Sequence, residues 1–549
     1  MARILVIQLG RLGDVIQTTP LLGELVRNNR AGSVDVLVFD SLREIVEGIG
    51  LRKIHGLPER SLTITMRDMD KSIEQSRANP HSIPREAHEV LCNLALPGYD
   101  RIVNCTYSPL GAFIVKNTKS KKVVGPVINS SGEILFHHPA QIYLCARANF
   151  RDQNWFNLVD LWRASGQSFS EDSFQVRSHV PVASQLPFEI PPGRIVAMNP
   201  GSSDAVRRWP AADFAFLAEG LVSRGLVPAL VGAPSDRETC AEVQARSAVK
   251  ITNLCGKTSV PELAFFLTRA DLLVSNDTGA IHIAAAVGCR TLSLFGSTAY
   301  FAETAPWDEG HVILQGPLGS DLVLLHPQLV LATALYCLGL IDESEMRAEM
   351  ARQNASAWET FYLDSEADPL GGISYRPLHR NHFSPDQIFT RELRHIFAHV
   401  FCATEDTPVK VNSSLKIKSS FGPPIIRRAS ARDIQTARFI TLLESMAEAA
   451  ARCRSLCARP TRESATEISA LSARLVNAME ELKAHSESHV RTRPAIHFLD
   501  WTSRMMDPMP PDETFHAHEQ AYQLAARILQ EAELRAESKL ENLSLLAPC

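Results

Sequence analysis

The sequence predicts an α/β protein in which two parallel-sheet domains face a cleft, with an additional, mostly α-helical C-terminal region. Up to about Leu340, short β-branched apolar runs alternate with longer segments of helical period. This alternation is typical of strands and helices around a parallel sheet. It occurs in two similar halves. Beyond about Glu345 the composition shifts, and the end of the chain is rich in Ala, Glu, Arg and Leu.

The first half contains four candidate strands and a candidate helix, Val15–Asn28. The strands are Ile4–Gln8, Val34–Phe39, Arg101–Cys105 and Val123–Val124. A linker rich in proline closes this half at Pro181–Pro192. We therefore expect a first domain over residues 1–188.

The second half repeats the pattern and predicts a domain over residues 189–345. Its candidate elements, in chain order, are strand Ile195–Met198, helix Ala212–Arg224, strand Val227–Val231, strand Leu272–Ser275, helix Ala280–Val287 and strand Thr291–Phe295. Open α/β sheets bind ligands beyond the carboxyl ends of their strands. A ligand site is therefore expected in the cleft between the two domains.

The remaining chain is predicted as a mixed linker region over 346–430 and a helical extension over 431–549. In the extension, apolar residues at helical spacing predict an amphipathic helix, with Ser464 and Glu467 at the spacing of a capping box. The stripe consists of Ile468, Leu471, Leu475, Met479 and Leu482. Neighbouring helices are expected at Asp433–Ala458 and Thr514–Leu540. These helices suit a small bundle that covers the catalytic core, docks on a partner or self-associates.

The composition excludes several classes of protein. The 549 residues are 45% hydrophobic and 21% charged, and the net charge of −5 lacks the basic excess of a nucleic-acid binder. The N-terminus shows no pattern of a signal peptide, and the apolar run Leu329–Ile341 is too short to cross a bilayer. We therefore expect a cytoplasmic protein with at most peripheral contact to the inner face of a membrane.

The 11 cysteines are scattered without the spacing of a zinc site. We expect them to be small buried hydrophobes in a reducing compartment, and we expect no metal site.

The first strand leads into a glycine-containing turn and then a helix. Gly10 and Gly13 allow a tight turn, which also carries Arg11, and they bring the carboxylate of Asp14 to the mouth of the cleft. The alternative is that Asp14 only caps the helix. The same turn gives only weak support for a dinucleotide-binding site, since Gln8 stands where the glycine-rich dinucleotide motif has its leading glycine.

Two segments of the second half are suited to a phosphate. One turn contains Ser202 and is followed by Arg207 and Arg208, whose planar guanidinium groups match phosphate oxygens. The alternative is that both arginines are solvated. The other segment is the strand-to-helix turn Asn276–His282, in which Asp277, Thr278 and Gly279 precede His282. Unpaired N–H groups at the start of that helix favour a diphosphate. His282 is either a further donor or a structural histidine.

Two further features are less specific. Asp236 follows a strand, and its carboxylate either accepts hydrogen bonds from ribose hydroxyls or has only a capping role at the protein surface. A lysine cluster of the first half that includes Lys119 and Lys121 is either the contact for an anionic glycan or a solvated loop.

Taken in order, four segments resemble glycosyltransferase family 9, the ADP-heptose:lipopolysaccharide heptosyltransferases. They are RILVIQLGRLGDVIQTTPLL, NPGSSDAVRRWPAADFAFLAEGL, VGAPSDRE and SNDTGAIHIAAAVGCRTLSLFGST, within about residues 1–340. The resemblance implies a GT-B fold, with two Rossmann-like domains facing a cleft. It also implies transfer of a sugar with inversion and without an obligatory metal or other cofactor. The expected donor is a nucleotide diphosphate sugar such as ADP-heptose, and the expected acceptor is an anionic glycan or glycolipid.

The resemblance also implies roles for individual residues. Asp14 looks like the general base, with Arg11, Gly13, Lys119 and Lys121 on the acceptor side. The donor-binding residues would be Ser202, Arg207, Asp236, Asp277, Thr278, Gly279 and His282. Arg207 stands where the family often has lysine, which keeps the charge and changes its geometry. Competing interpretations are a sugar-nucleotide epimerase or hydrolase of the same fold, and a non-catalytic scaffold that binds glycans or nucleotides.

Overall fold

The structure is a computed structural model that describes most of the chain. The described residues are 2–29, 32–59, 94, 96–129, 134–136, 138–166, 177–319, 322, 325–352, 361–367, 372–377, 394, 396–397, 401, 434–457, 462–486, 489, 492–504 and 511–545. They divide into two compact units. The first unit contains residues 1–134 and 156–382, and the second contains 135–155 and 383–549.

The first half of the first unit is a five-stranded sheet with the order β3-β2-β1-β4-β5, and all of its strands are parallel. In chain order its elements are β1 (Arg3–Ile7), α1 (Leu12–Asn28), β2 (Ser33–Phe39), β3 (Lys53–Leu57), β4 (Tyr99–Asn104), α2 (Pro109–Lys116) and β5 (Ser120–Val124). A small separate sheet pairs β6 (Val127–Ile128) with β7 (Ile134–Leu135). The four predicted strands are confirmed, and β3 was not predicted.

The second half is an eight-stranded sheet with the order β10-β9-β8-β11-β12-β13-β14-β15. Its strands are β8 (Ile195–Asn199), β9 (Val227–Leu230), β10 (Thr252–Asn253), β11 (Leu272–Asn276), β12 (Thr291–Ser297), β13 (Val312–Leu318), β14 (Phe361–Ala367) and β15 (Ile373–Pro377). The last two strands run antiparallel, and the others are parallel. The sheet therefore continues beyond residue 345, into the stretch expected to be a mixed linker.

The helices fall into the two units. In chain order they are α3 (Pro139–Ala146), α4 (Leu158–Ser165), α5 (Ala211–Val222), α6 (Arg237–Arg246), α7 (Val260–Leu267), α8 (Gly279–Ala286), α9 (Phe301–Thr304), α10 (Pro327–Cys337), α11 (Glu343–Arg352), α12 (Ile434–Cys457), α13 (Arg462–Ser486), α14 (Arg493–Arg504) and α15 (Pro511–Leu545). Helix α10 contains most of the apolar run Leu329–Ile341, and most of the residues of this helix are buried. None of the helices in the described ranges has the length and apolar character needed to cross a membrane.

The strand orders fix where ligands bind. In each half the chain first adds strands on one side of a central strand and then crosses to its other side. This change of direction falls between β1 and β4 in the first sheet, and between β8 and β11 in the second. Parallel sheets open a crevice at such a switch point, beyond the carboxyl ends of the two strands. The turns that follow β1, β8 and β11 therefore border the crevices.

Helix α1 continues through a proline. Pro20 has no N–H to donate to the carbonyl of Ile16 four residues earlier. The hydroxyl of Thr19 donates to that carbonyl instead, at 2.6 Å. This hydrogen bond satisfies an oxygen that the proline would otherwise leave unpaired, so the helix keeps its direction toward the first turn.

A buried ion pair joins α1 to α4. The guanidinium of Arg163 donates to Glu24 Oε1 from Nη2 at 2.6 Å and from Nε at 2.8 Å, and neither side chain is exposed. The same guanidinium lies over the ring of Trp307 at 4.9 Å, and the indole of Trp307 donates to Asp160 at 2.8 Å. This polar cluster connects the helices of the first half to a loop of the second half.

The second unit is helical and takes in a segment that the sequence assigned to the first domain. Residues 135–155 include α3, and Tyr143 of α3 packs against Phe397 and Phe401, with ring centroids 4.9 and 5.4 Å apart. The predicted boundaries at 188 and 430 therefore do not coincide with those of the compact units. Residues 135–155 do not differ in composition from their neighbours, so the sequence gives no sign that they pack in the second unit.

The amphipathic stripe of α13 is confirmed, since Leu475, Met479 and Leu482 are buried. The predicted capping box is wrong, because α13 begins at Arg462, before Ser464. The carboxylate of Glu467 accepts instead from Arg452 of α12, at 2.9 Å.

The cysteines in the described part of the chain agree with the prediction. All eight are free thiols, and six of them are buried. Across the same part of the chain, no three His, Cys, Asp or Glu side chains converge as metal ligands.

We predict that Arg163→Met destabilises the protein by about 3–5 kcal/mol, because Glu24 then keeps a buried charge without its cation. Urea denaturation followed by tryptophan fluorescence measures the change. The control is Arg246→Met, which removes an exposed ion pair with Glu242 and should leave the unfolding midpoint almost unchanged. Equal shifts in the two variants would show that the buried pair does not hold α1 on α4.

Candidate functional site

The turn after β1 is built around a close approach of Asp14 to Gly10. A Cβ atom at Gly10 would lie 2.6 Å from both Cβ and Oδ2 of Asp14, so only glycine fits. Asp14 Oδ2 accepts the backbone N–H of Arg11 at 2.8 Å, which caps the first turn of α1. The capping role is therefore real. Asp14 Oδ1 accepts no hydrogen bond from the described residues, so one oxygen stays available for a substrate.

Side chains beside the turn fix its backbone. Gln8 accepts the N–H of Gly10 at 3.1 Å and donates to the hydroxyl of Thr18 at 2.8 Å. Thr106, which follows β4, accepts the N–H of Leu9 at 2.7 Å. The turns on the two sides of the first switch point are thus tied together. Gln8, which stands in the place of the leading glycine of the dinucleotide motif, has a structural role here.

Burial raises the pKa of the Asp14 carboxyl above the ordinary value of 3.8. The hydrogen bond from the Arg11 backbone and the positive charge of Arg11 oppose this rise. A carboxylate with a raised pKa is a better proton acceptor, so the environment suits a general base.

In the second half, two asparagines at strand ends hold the phosphate-type turns in place. The amide of Asn276 donates to the carbonyls of Pro200 and Gly201 at 2.9 and 3.2 Å, and its oxygen accepts the N–H of Trp209 at 3.1 Å. Asn199 accepts the N–H of Gly201 at 3.1 Å and donates to Thr278 Oγ1 at 3.0 Å. Sequence reasoning did not single out either asparagine, although both end the strands that it had located.

Helix α8 begins directly at the cleft. The hydroxyl of Thr278 caps it by accepting the N–H of Ala280 at 3.3 Å, so the Thr278 side chain is engaged within the protein. The N–H of Gly279 has no acceptor among the described residues. The start of α8 therefore offers an unpaired donor and the positive end of a helix dipole to an anion.

The two halves meet where α1 and α8 begin. A Cβ atom at Gly13 would lie 3.1 Å from Cδ2 of His282, and one at Gly279 would lie 3.3 Å from Cδ2 of Leu12. Glycine on both sides lets the two backbones approach closely. The turn that carries Asp14 and the turn 277–282 therefore border the same cleft, which is the arrangement that the GT-B prediction requires.

His282 lies in this contact and is 5% exposed. Burial lowers its pKa from 6.5 to about 4, so the imidazole is neutral near pH 7. A neutral imidazole can donate one N–H to an anion but carries no charge to it. The predicted donor role thus becomes that of a neutral hydrogen-bond donor.

Arg207 and Arg208 differ in their contacts. Arg208 donates to the carbonyl of Ser202 from Nε at 3.0 Å and from Nη2 at 2.8 Å, which fixes the turn. Arg207 Nη1 donates to Asp277 Oδ2 at 3.2 Å, and Thr304 donates to the other oxygen of that carboxylate at 3.3 Å. Asp277 therefore orients the guanidinium of Arg207 beside the start of α8.

Asp236 and Ser202 also border the cleft. A Cβ atom at Gly201 would lie 2.2 Å from Cγ of Asp236, so the carboxyl group lies directly over this turn. Asp236 Oδ2 accepts the N–H of Ala233 at 2.8 Å, so it also caps its own segment. Ser202 is buried and its hydroxyl accepts the N–H of Asp204 at 3.4 Å.

The lysines do not join the site. Lys119 and Lys121 lie at the amino end of β5, where Lys121 pairs with Asp100 at 2.7 Å, and Asp100 accepts the N–H of Arg3 at the start of β1. Asp14 follows the opposite, carboxyl end of β1. Both lysines precede the predicted strand Val123–Val124, so their position at the amino end of a parallel strand could have been inferred from the sequence.

Comparison with known proteins finds a family that the middle of the chain resembles, from the end of the first half through most of the second half. Residues 93–321 match the family described as glycosyltransferase family 9 (heptosyltransferase). The matched residues include Arg207, Asp236 and the turn 277–282. They begin after Asp14, so the first turn lies outside the match.

Individual relatives carry related names. Lipooligosaccharide heptosyltransferase 2 of Campylobacter jejuni is 28% identical over 151 residues, which are 25% of this chain and 47% of that protein. The chain thus spans about half the length of the Campylobacter jejuni relatives that it matches. Lipopolysaccharide heptosyltransferase 3 of Escherichia coli K12 is 24% identical over 309 residues, 54% of this chain and 83% of that protein.

Among solved structures, E. coli heptosyltransferase WaaC with ADP is 17% identical to this chain. The alignment covers 61% of this chain and 99% of that one, with a TM-score of 0.43. The family match and the curated relatives agree with each other and with the motifs of the sequence. Residues 93–321 of the chain are therefore similar to glycosyltransferase family 9.

Proposed function

We propose that the protein is an inverting glycosyltransferase that moves heptose from ADP-heptose to a hydroxyl of a lipopolysaccharide-core or related surface glycan. One observation carries the proposal. A carboxylate with a raised pKa and a helix N-terminus with an unpaired N–H border the same cleft, at the switch points of two sheets. A sugar donor between them would have a base on one side and an anion site on the other.

Asp14 is proposed as the general base. Its free Oδ1 takes the proton of the acceptor hydroxyl while that oxygen forms a bond to the anomeric carbon. Attack from the side opposite the leaving diphosphate inverts the anomeric centre. A positioned base of this kind contributes about 10²–10⁴-fold to the rate.

The leaving diphosphate is proposed to bind at the start of α8. As the bond between the anomeric carbon and the diphosphate oxygen breaks, that oxygen keeps the electron pair. The guanidinium of Arg207, the N–H of Gly279 and the neutral imidazole of His282 meet the growing negative charge. Preorganised donors of this kind are each worth about 10²–10³-fold. They supply positive potential without requiring a metal ion.

The nucleoside is proposed to lie beside Asp236, whose carboxylate stands over the turn at Gly201 and can accept hydrogen bonds from ribose hydroxyls. The names of the curated relatives support heptose and a lipopolysaccharide-type acceptor. The surface near Gly13 and Asp14 is the candidate acceptor side. A cytoplasmic location at the inner face of a membrane, and self-association through the C-terminal helices, stay predictions.

The proposal is tested directly by incubating the protein with ADP-heptose and a heptose-deficient lipopolysaccharide core. The expected result is acceptor-dependent release of ADP with a heptose added to the glycan, detected by mass spectrometry. Release of ADP at the same rate without acceptor would identify a hydrolase instead. A thermal-shift panel with ADP, GDP and UDP identifies the nucleotide independently of the acceptor, since a bound ligand raises the stability.

We predict that Asp14→Asn lowers the rate of transfer by about 10²–10⁴-fold and leaves the affinity for ADP within a few-fold of the wild type. Asparagine can still accept the N–H of Arg11, so the helix cap survives and only the base is lost. Rates come from the transfer assay and affinities from calorimetry. Near-normal turnover of this variant would reject Asp14 as the base.

We predict that kcat/KM falls with decreasing pH through a midpoint above 3.8, the ordinary aspartate value, because a raised pKa makes Asp14 protonate at a higher pH. His282 stays neutral until about pH 4. The variant His282→Gln should therefore bind ADP more weakly yet keep the midpoint of the wild type. If the midpoint of kcat/KM shifts in His282→Gln, the loss of activity at low pH is due to protonation of the histidine and not of Asp14.

We predict that Arg207→Ala weakens ADP binding by about ten- to a hundredfold, because charged hydrogen bonds to the diphosphate are lost and Asp277 keeps its negative charge beside the site. Arg207→Lys should restore part of the affinity. Calorimetry with ADP measures both variants. Unchanged affinity in Arg207→Ala would exclude it as a diphosphate ligand.

A further inference from the structure

Arg11 belongs to the first half of the first unit, but its side chain contacts the second half. It precedes α1, and its Nη1 donates to Ser203 Oγ at 3.2 Å. The side chain is exposed, and its guanidinium forms no other hydrogen bond and no ion pair with the described residues. A guanidinium has five N–H groups, so most of its donors remain unused.

Ser203 lies close to a second incomplete group. Arg207 stands four residues later in the sequence. Its Nε is buried without a hydrogen-bond partner, and Asp204 Oδ2, at 3.9 Å, is within ion-pair distance but too far for a hydrogen bond. A buried N–H that is left without an acceptor destabilises the folded state. Two arginines with unused donors therefore reach the loop beside the start of α8, one from each half. An anion with several oxygens would satisfy both.

Building on the proposed function, we infer that Arg11 is a second ligand of the leaving diphosphate, supplied across the cleft by the acceptor half. When the donor binds, the guanidinium exchanges the neutral hydroxyl of Ser203 for charged phosphate oxygens. The hydroxyl offers a guanidinium only a neutral acceptor, whereas phosphate oxygens are charged and match its planar, bidentate geometry. This inference moves Arg11 from the acceptor side, where sequence reasoning had it, to the leaving group.

The position of Arg11 links closure of the cleft to the chemistry. Arg11 reaches the second half only while the two halves are in contact, and the turn that carries it also carries Asp14. Closure would thus bring the base and a cation to the donor in the same movement. The negative charge on the diphosphate grows as its bond to the anomeric carbon breaks, so Arg11 should stabilise the transition state more than bound donor.

The competing explanation is that Arg11 is only a latch that holds Ser203. An exposed hydrogen bond from a guanidinium to a neutral hydroxyl gains little, since water competes for both groups, and it immobilises a long side chain. A latch depends equally on both partners. It does not depend on the positive charge of Arg11, which gives a way to separate the two explanations.

The experiment compares Arg11→Gln, Arg11→Lys and Ser203→Ala with the wild type, and uses Arg224→Gln as the matched control. Arg224 is an exposed arginine in the turn after α5, away from the cleft. Calorimetry with ADP gives the affinity, and the transfer assay with ADP-heptose gives kcat and the KM for each substrate. All measurements are made at fixed low salt, since screening weakens exposed charges.

For Arg11→Gln we expect about a tenfold loss of ADP affinity and a further loss of tenfold or more in kcat. Arg11→Lys should recover part of both losses, Ser203→Ala should have a smaller effect than Arg11→Gln, and Arg224→Gln should match the wild type. Equal losses in Arg11→Gln and Ser203→Ala, without recovery in Arg11→Lys, would establish the latch and overturn the inference.

Two other outcomes overturn the inference and are distinguishable. If Arg11→Gln raises only the KM for the glycan, Arg11 belongs to the acceptor side after all. If the wild type binds none of ADP, GDP and UDP, the proposed function fails, and the role of Arg11 fails with it. The first outcome is a property of the variant, whereas the second is already visible in the unmodified protein.

Discussion

The candidate site depends on the close approach of two helix N-termini. Gly13 of α1 faces the ring of His282, and Gly279 of α8 faces Leu12. Larger side chains at the two glycines would force the backbones apart. The contact aligns the positive ends of two helix dipoles and the switch points of two sheets beside one cleft. This is why a carboxylate from one half and unpaired donors from the other can act on one molecule.

The polar residues around the cleft divide into those that hold the backbone and those that stay available. The side chains of Asn199, Asn276 and Arg208 donate hydrogen bonds to neighbouring turns. Arg11 and Arg207 keep unused donors. Buried polar groups that are fully paired make a site rigid, whereas unpaired donors favour an anion. The same loops thus contain side chains that hold the backbone rigid and N–H donors without acceptors. An anionic diphosphate would supply the missing acceptors.

Sequence reasoning located the parallel strands and the three turns, because β-branched runs and glycines at strand ends are local signals. It could not separate the paired from the unpaired side chains, since Arg207 and Arg208 are adjacent in sequence and differ only in their distant partners, Asp277 and Ser202. It also assigned Lys119 to the acceptor side, although a residue that precedes a parallel strand lies at the end of the sheet away from the turns of the site. The segment 135–155, which packs in the second unit, has no local signature of that exchange.

The central claim is that one nucleoside diphosphate lies between the turns that follow β1 and β11. A crystal structure of the wild-type protein with ADP tests this most directly. The account predicts the diphosphate at the N–H of Gly279, within hydrogen-bond distance of both Arg11 and Arg207, with the carboxylate of Asp14 facing the same space. A diphosphate bound elsewhere, with the cleft between Gly13 and His282 closed to it, would contradict the account.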